Sequence, residues 1–90
     1  MAKIQTKHPL GKNGKNIDKG KYDTLKRTIL AALHGKELTH SQLLERLNRD
    51  LKGKFEGNIG WYGETVKLDL EASKIIERTS TKPQKYRITK

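Results

Sequence analysis

The residues with the clearest chemistry in this sequence are its basic side chains, and phosphate is the group that they are best suited to bind. Lys and Arg number 20 against 10 Asp and Glu, which gives a net charge of +10 over 90 residues. Residues 1–21 hold six Lys and one acid, and residues 73–90 hold six basic residues and one acid. Such basic segments are typical of proteins that bind a polyanion, because each cation that neutralises a phosphate adds affinity without reading sequence.

Residue types that carry catalysis or hold metals are scarce. The chain has no Cys, which excludes a disulfide framework, a thiolate zinc site and a cysteine nucleophile. The residues His8, His34 and His40 show no spacing that would bring two of them onto one helix face. The Gly-rich stretch at 11–15 lacks the spacing of a phosphate-binding loop. The sequence therefore predicts no enzyme, no cofactor, no metal site and no small-molecule ligand.

No segment is apolar enough to direct the chain to a membrane. The longest apolar run, Ile29–Leu33, is far shorter than the roughly 20 residues that a membrane span needs. The N-terminus lacks the apolar stretch of a signal peptide. We therefore expect a cytoplasmic protein with no membrane partner.

Apolar residues at helical intervals predict three helices that position these side chains. The first helix covers 18–34, the second covers about 40–52 and the third runs roughly 59–72. The second helix opens with a capping box, in which Thr39 precedes Gln42 by three residues. We expect the apolar stripes of the three helices to bury against one another.

The segments that flank the helices have other patterns. An apolar period of two predicts strands at 74–79 and 84–89, which form a β-hairpin around a turn. The short stretch at 36–38, between the first two helices, fits a brief strand. Residues 1–17 hold too few large apolar residues to offset the entropy of ordering them, so we expect a flexible basic arm. The folded domain is then predicted to span 18–90.

Three helices followed by a β-hairpin is the element order of a winged helix-turn-helix domain. The segment "Leu-Glu-x-x-Gly-Leu-Ile-x-Arg" of marR-like and related winged-helix families resembles Leu70-Glu71-Ala72-Ser73-Lys74-Ile75-Ile76-Glu77-Arg78, with Lys74 where those families usually have Gly. Segments 60–72 and 83–87 are also similar to a small bacterial winged-helix family of unassigned function. The resemblance implies an α+β fold of three helices followed by a C-terminal β-hairpin wing. The third helix would then enter the major groove of DNA, and the wing would contact the flanking backbone.

The charge pattern and the resemblance together predict a DNA-binding protein of low sequence specificity. Its partner is double-stranded DNA, and transcriptional regulation is the role that the resemblance implies. The third helix holds one Lys against three acids and has no Arg or Asn to read a base bidentately, which leaves Thr65 and Lys67 as readers, with Tyr62 as a further candidate. The candidate contacts in arm, helices and wing are Lys12, Lys15, Lys19, Lys21, Arg46, Arg49, Thr65, Lys67, Lys82, Lys85 and Arg87.

An alternative hypothesis is a protein-interaction module. Trp61 and Leu68 share one stripe of the third helix, and so small a domain covers such a stripe incompletely. An exposed patch there indicates a protein partner or a homodimer, although Trp61 is also suited to stack on a base. The acidic third helix favours this alternative and the basic wing favours DNA binding, so the sequence leaves both open.

Overall fold

A computed structural model describes residues 3–7 and 13–89, in which helices and strands follow the order β-β-α-β-α-α-β-β. The elements are β1 (Lys3–Lys7), β2 (Asn13–Asp18), α1 (Lys19–Leu33), β3 (Leu38–Thr39), α2 (His40–Leu51), α3 (Ile59–Ala72), β4 (Ile76–Arg78) and β5 (Lys85–Ile88). The strands form two antiparallel sheets, one of β1 and β2 and the other in the order β3-β5-β4.

This order contradicts the predicted winged helix-turn-helix architecture of three helices followed by a hairpin. Two strands precede α1, a further strand separates α1 from α2, and β5 is the central strand of a three-stranded sheet. The C-terminal strands themselves lie where the period-two pattern places them. The prediction of the whole was wrong because pairing between distant segments, such as Leu38 with Tyr86, leaves no local pattern in the sequence.

The N-terminal hairpin replaces the expected flexible arm at residues 3–7 and 13–17. Its strands pair Ile4 with Ile17, and Ile17 is buried in the core. The buried Thr6 hydroxyl accepts the backbone N–H of Lys15 at 2.8 Å and donates to the Lys15 carbonyl at 3.1 Å. These buried contacts and the backbone bonds between the strands stabilise a segment whose composition alone is typical of disorder.

One carboxylate attaches this hairpin to the helices. Asp69 of α3 is buried, accepts the backbone N–H of Lys7 at 2.8 Å, and also accepts the hydroxyl of Tyr22 in α1. Burial, together with the hydrogen bond to Asp69 and its negative charge, raises the pKa of Tyr22 well above the usual tyrosine range. Asp69 therefore connects β1, α1 and α3 at a single point.

The core lies between the three helices and the β3-β5-β4 sheet. The capping box that opens α2 is confirmed, with the Thr39 hydroxyl accepting the N–H of Gln42 and the Gln42 side chain accepting that of Thr39. No helix in the described part of the chain is long and apolar enough to cross a membrane. The largest fully buried side chains are Leu25, Ile29, Leu33, Leu43, Leu47, Leu70, Ile76 and Val66, all of them on the predicted apolar stripes or strands.

Candidate nucleic-acid interface

Several arginines that the sequence offers for phosphate binding are bonded to carboxylates within the protein. Arg46 Nε lies 2.8 Å from Asp50, and the hydrogen bond from Arg46 lowers the pKa of that carboxyl. Arg87 bonds to Glu77 through Nε at 2.6 Å and to Glu37 through Nη1 at 3.1 Å. These partners compete with phosphate, so Arg46 and Arg87 are poorer phosphate ligands than unpaired cations.

Two other candidate cations form weak ion pairs, and a third lies outside the residues that the structure describes. Lys19 bonds to Asp23 at 2.7 Å, but both side chains are about half exposed, and water and salt screen such pairs. Arg49 is largely exposed, with Nε 3.7 Å from Asp50. Lys12 lies outside the described residues. Lys19 and Arg49 therefore stay accessible to an anionic partner.

A set of lysines that form no ion pair among the described residues contributes positive charge at the protein surface. In residues 3–7 and 13–89, the structure shows no carboxylate within 4.0 Å of the ammonium groups of these side chains, several of which are exposed. From the N-terminal hairpin to the C-terminal sheet, they include Lys15, Lys21, Lys52, Lys54, Lys82 and Lys85. Exposed lysines of this kind can approach phosphates without first breaking an ion pair.

The turn between β4 and β5 has Lys82 at its tip, and Lys85 opens β5 directly after it. The hydroxyl of the buried Thr79 accepts the backbone N–H of Lys85 at 3.0 Å, and the backbone N–H of Thr79 donates to the Lys85 carbonyl at 2.8 Å. The Thr81 hydroxyl lies 2.7 Å from that of Thr79 and donates to the Pro83 carbonyl at 3.1 Å. These bonds close the turn and leave Lys82 exposed at its tip.

Lys67, predicted to read bases from the third helix, lies inside the protein. Its side chain is 4% exposed, and its Nζ lies 2.8 Å from His40 Nδ1, 3.2 Å from the Tyr86 hydroxyl and 3.2 Å from Glu64 Oε2. The three hydrogens of an ammonium group match these three partners. Lys67 is therefore committed to joining α2, α3 and β5, and it does not project towards a ligand.

The exposed ridge of α3 contains no cation in place of Lys67. Trp61 is 45% exposed at the first turn, and Thr65 and Leu68 are partly exposed further along. The Thr65 hydroxyl donates to the Trp61 carbonyl at 2.9 Å, so it is already bonded to its own helix. The charged side chain on this face is Glu64, which is 40% exposed, so the surface offers a carboxylate where a helix in a major groove would need polar or basic side chains.

An aromatic cluster with a lysine against it forms at the start of α3. The ring centroids of Phe55 and Tyr62 are 5.4 Å apart, and those of Trp61 and Tyr62 are 4.9 Å apart, both in edge contacts. Lys21 of α1 places its Nζ 5.0 Å from the Tyr62 centroid and 5.9 Å from that of Phe55. Sequence reasoning names both Lys21 and Trp61 as candidates, but the contact between Lys21 and the Tyr62 and Phe55 rings arises only from the packing of α1 against α3.

A comparison with protein families places the chain in one of them. A family model described as a family of unknown function, DUF6958, matches residues 3–86. The chain belongs to this family. No curated protein and no solved structure matches it significantly.

The DUF6958 match includes both strands of the N-terminal hairpin as well as the helices and most of the sheet. In this DUF6958 member, the surface depressions found among the described residues are open, and one is lined by Leu33, Lys36 and Arg87 among others. No group of three or more His, Asp or Glu side chains in residues 3–7 and 13–89 is arranged to hold a metal ion. The chemistry available at this surface is that of exposed cations and aromatic rings.

Proposed function

We propose that the protein binds nucleic acid through the phosphate backbone, with low sequence specificity. The observation that supports this proposal is that, in the described part of the chain, some cations are held in ion pairs within the protein while others are left unpaired at the surface. Ion pairs within the protein occupy Arg46, Arg78 and Arg87, whereas lysines such as Lys82 carry the net positive charge at the surface. A surface of unpaired lysines attracts phosphates of any sequence, since an ammonium group is a point charge without directional preference.

Low specificity follows from what α3 offers. Reading a guanine or an adenine bidentately requires a guanidinium or a side-chain amide that faces the base edge. The helix α3 contains neither, and its one cation, Lys67, is buried. The partner that we propose is therefore DNA, bound by its backbone, in the cytoplasm.

The salt dependence of duplex binding tests this function. We expect a labelled duplex of random sequence to bind at low salt, with log K falling linearly as log salt rises. The variant Lys82→Gln/Lys85→Gln should flatten that line, by a slope of about 1.8 if both lysines contact phosphates. The measurement is fluorescence anisotropy at several salt concentrations.

The matched control removes the same charge elsewhere on the surface. Lys26→Gln/Arg27→Gln neutralises two cations of α1, neither of which pairs with a carboxylate among the described residues. We expect this control to alter the slope less than the variant in the β4–β5 turn. Equal changes in both variants would contradict a contact at that turn, and no duplex binding at low salt would contradict the function.

The second candidate function, a protein-interaction module, is favoured by the exposure of Trp61. The neighbouring Leu68 is partly buried and Thr65 lies between them, so the exposed apolar area is small. A stable protein interface buries about 800 Å² on each partner. A single exposed indole whose neighbour Tyr62 carries Lys21 against its ring suits a nucleic acid better, and we therefore place the protein module second.

A further inference from the structure

We infer that Trp61 is a stacking platform for an unpaired nucleobase, and that Lys21 and the lysines of the loop before α3 bind phosphates of the same strand. This inference rests on the proposed function and deepens it, because it names single-stranded nucleic acid as the preferred ligand class. It would apply to a free single strand or to the displaced strand of an opened duplex. The supporting observations are the exposure of the indole, its orientation and the charge beside it.

The indole of Trp61 is held in place but left open. Its ring meets that of Tyr62 at 86°, so the contact is edge to face and occupies at most one indole face. The Tyr62 ring also makes an edge contact with Phe55, at an interplanar angle of 72°, and this second contact holds the tyrosine ring in place. Trp61 is the one large hydrophobic residue that stands exposed among the described residues. A flat, rigid and partly open π surface is the kind of group on which bases stack.

The charge beside the indole matches a phosphate backbone. The Nζ of Lys21 lies 5.0 Å from the Tyr62 centroid, which is itself 4.9 Å from the Trp61 centroid, so the ammonium lies no more than about 10 Å from the indole. The loop before α3 adds Lys52 and Lys54, both exposed, on either side of Gly53. Two acids belong to the same region: Glu56 in this loop, and Glu64 one turn after Trp61 on α3, whose carboxylate is already paired with Lys67 at 3.2 Å. The combination of an aromatic surface with a basic rim is typical of single-strand binding sites.

Single-stranded and duplex nucleic acids differ in whether the faces of their bases are accessible to the indole. In a regular duplex each base is stacked on its neighbours, so no base face is free to meet an indole. An unpaired base exposes its faces, and every base has such a face, which makes this contact tolerant of sequence. The start of α3 is not an additional anion site, because its cap Asn58 already accepts the backbone N–H of Trp61 at 2.9 Å. The selective contact is therefore stacking, with the lysines adding charge.

Intrinsic fluorescence tests this inference directly, because Trp61 is the only tryptophan in the chain. Oligothymidylate of about 12 nucleotides, within the usual site size of such proteins, should quench the emission on binding. A duplex of the same length should bind through phosphates with little quenching. Trp61→Ala should lower the affinity for oligothymidylate by about 5- to 150-fold, which corresponds to the stacking energy of one base. Duplex affinity should be unchanged.

Two controls accompany this variant. Trp61→Phe keeps an aromatic face and should retain most of the affinity for oligothymidylate. Leu68→Ala removes another partly exposed apolar side chain from α3 and should leave that affinity unchanged. Because Trp61 is exposed, its variants should unfold at nearly the wild-type temperature.

The outcomes separate the two proposals. If Trp61→Ala binds oligothymidylate as tightly as the wild type, the stacking site is overturned, while salt-dependent duplex binding would still support the proposed function. If neither oligonucleotide binds at low salt, both proposals are overturned. Self-association of the wild type that is abolished by both Trp61→Ala and Leu68→Ala in sedimentation would show a protein interface, which also overturns the stacking site.

Discussion

The buried Tyr22 hydroxyl, which donates to Asp69, makes the free energy of unfolding depend on pH in the alkaline range. The pKa of Tyr22 in the folded protein is raised, chiefly by burial, above the value near 10 of an unfolded tyrosine. Above pH 10 the unfolded chain releases this proton and the folded chain keeps it, so we expect the free energy of unfolding to fall as pH rises further. Below pH 10 the contribution of Tyr22 is constant. Urea unfolding at a series of pH values measures this effect.

The variant Tyr22→Phe isolates that contribution. It should be less stable than the wild type at pH 7, because Asp69 loses a buried partner, and its stability should fall less steeply above pH 10. Tyr62→Phe is the control, since the structure shows no hydrogen bond from the Tyr62 hydroxyl within the described residues. An identical alkaline slope in wild type and Tyr22→Phe would rule out Tyr22 as the titrating group.

At the scale of elements, the N-terminal hairpin depends on one glycine. A Cβ placed on Gly14 would lie 1.8 Å from the carbonyl oxygen of Thr6, a backbone atom that cannot move aside. Gly14→Ala should therefore separate β2 from β1 and destabilise the protein by more than about 2 kcal/mol. Thermal unfolding and amide hydrogen exchange measure this, with protection lost first in the two strands.

Gly60→Ala is the matched control for Gly14→Ala. Gly60 lies in the first turn of α3, where a Cβ would approach only the side-chain oxygen of Asn58, at 3.3 Å. Because alanine is favoured over glycine in a helix by about 1 kcal/mol, we expect little change or a small gain in stability. Equal losses in the two variants would mean that the Thr6 contact is not what makes Gly14 necessary.

The elements that could be predicted from sequence are those with local signals. The three helices follow from apolar spacing, and the start of α2 follows from the capping box at Thr39. The N-terminal hairpin could not be predicted, because Ile17 and Thr6 are buried by segments distant in sequence. The candidate site divides in the same way. Trp61 is identifiable from sequence, but the contact of Lys21 with the Tyr62 ring and the burial of Lys67 depend on how the helices pack.

At the scale of the whole molecule, unpaired lysines destabilise the fold by repelling one another. The net charge is +10, and the exposed ion pairs offset little of the repulsion that remains. Raising the salt from about 0.01 to 0.15 M shortens the screening length from roughly 30 to 8 Å. We therefore expect the melting temperature to rise with salt, by roughly 4–8 °C for each kcal/mol of repulsion removed.

Differential scanning calorimetry in sodium chloride measures this rise, and Lys82→Gln/Lys85→Gln should show a smaller one because it starts with less repulsion. The same unpaired charge that destabilises the free protein would be neutralised on a phosphate backbone. The variant should therefore bind the duplex more weakly and, at low salt, unfold at a higher temperature than the wild type. A melting temperature that falls with salt would instead mean that the internal ion pairs dominate. The proposed division into cations held in ion pairs and unpaired surface cations would then lose its functional meaning.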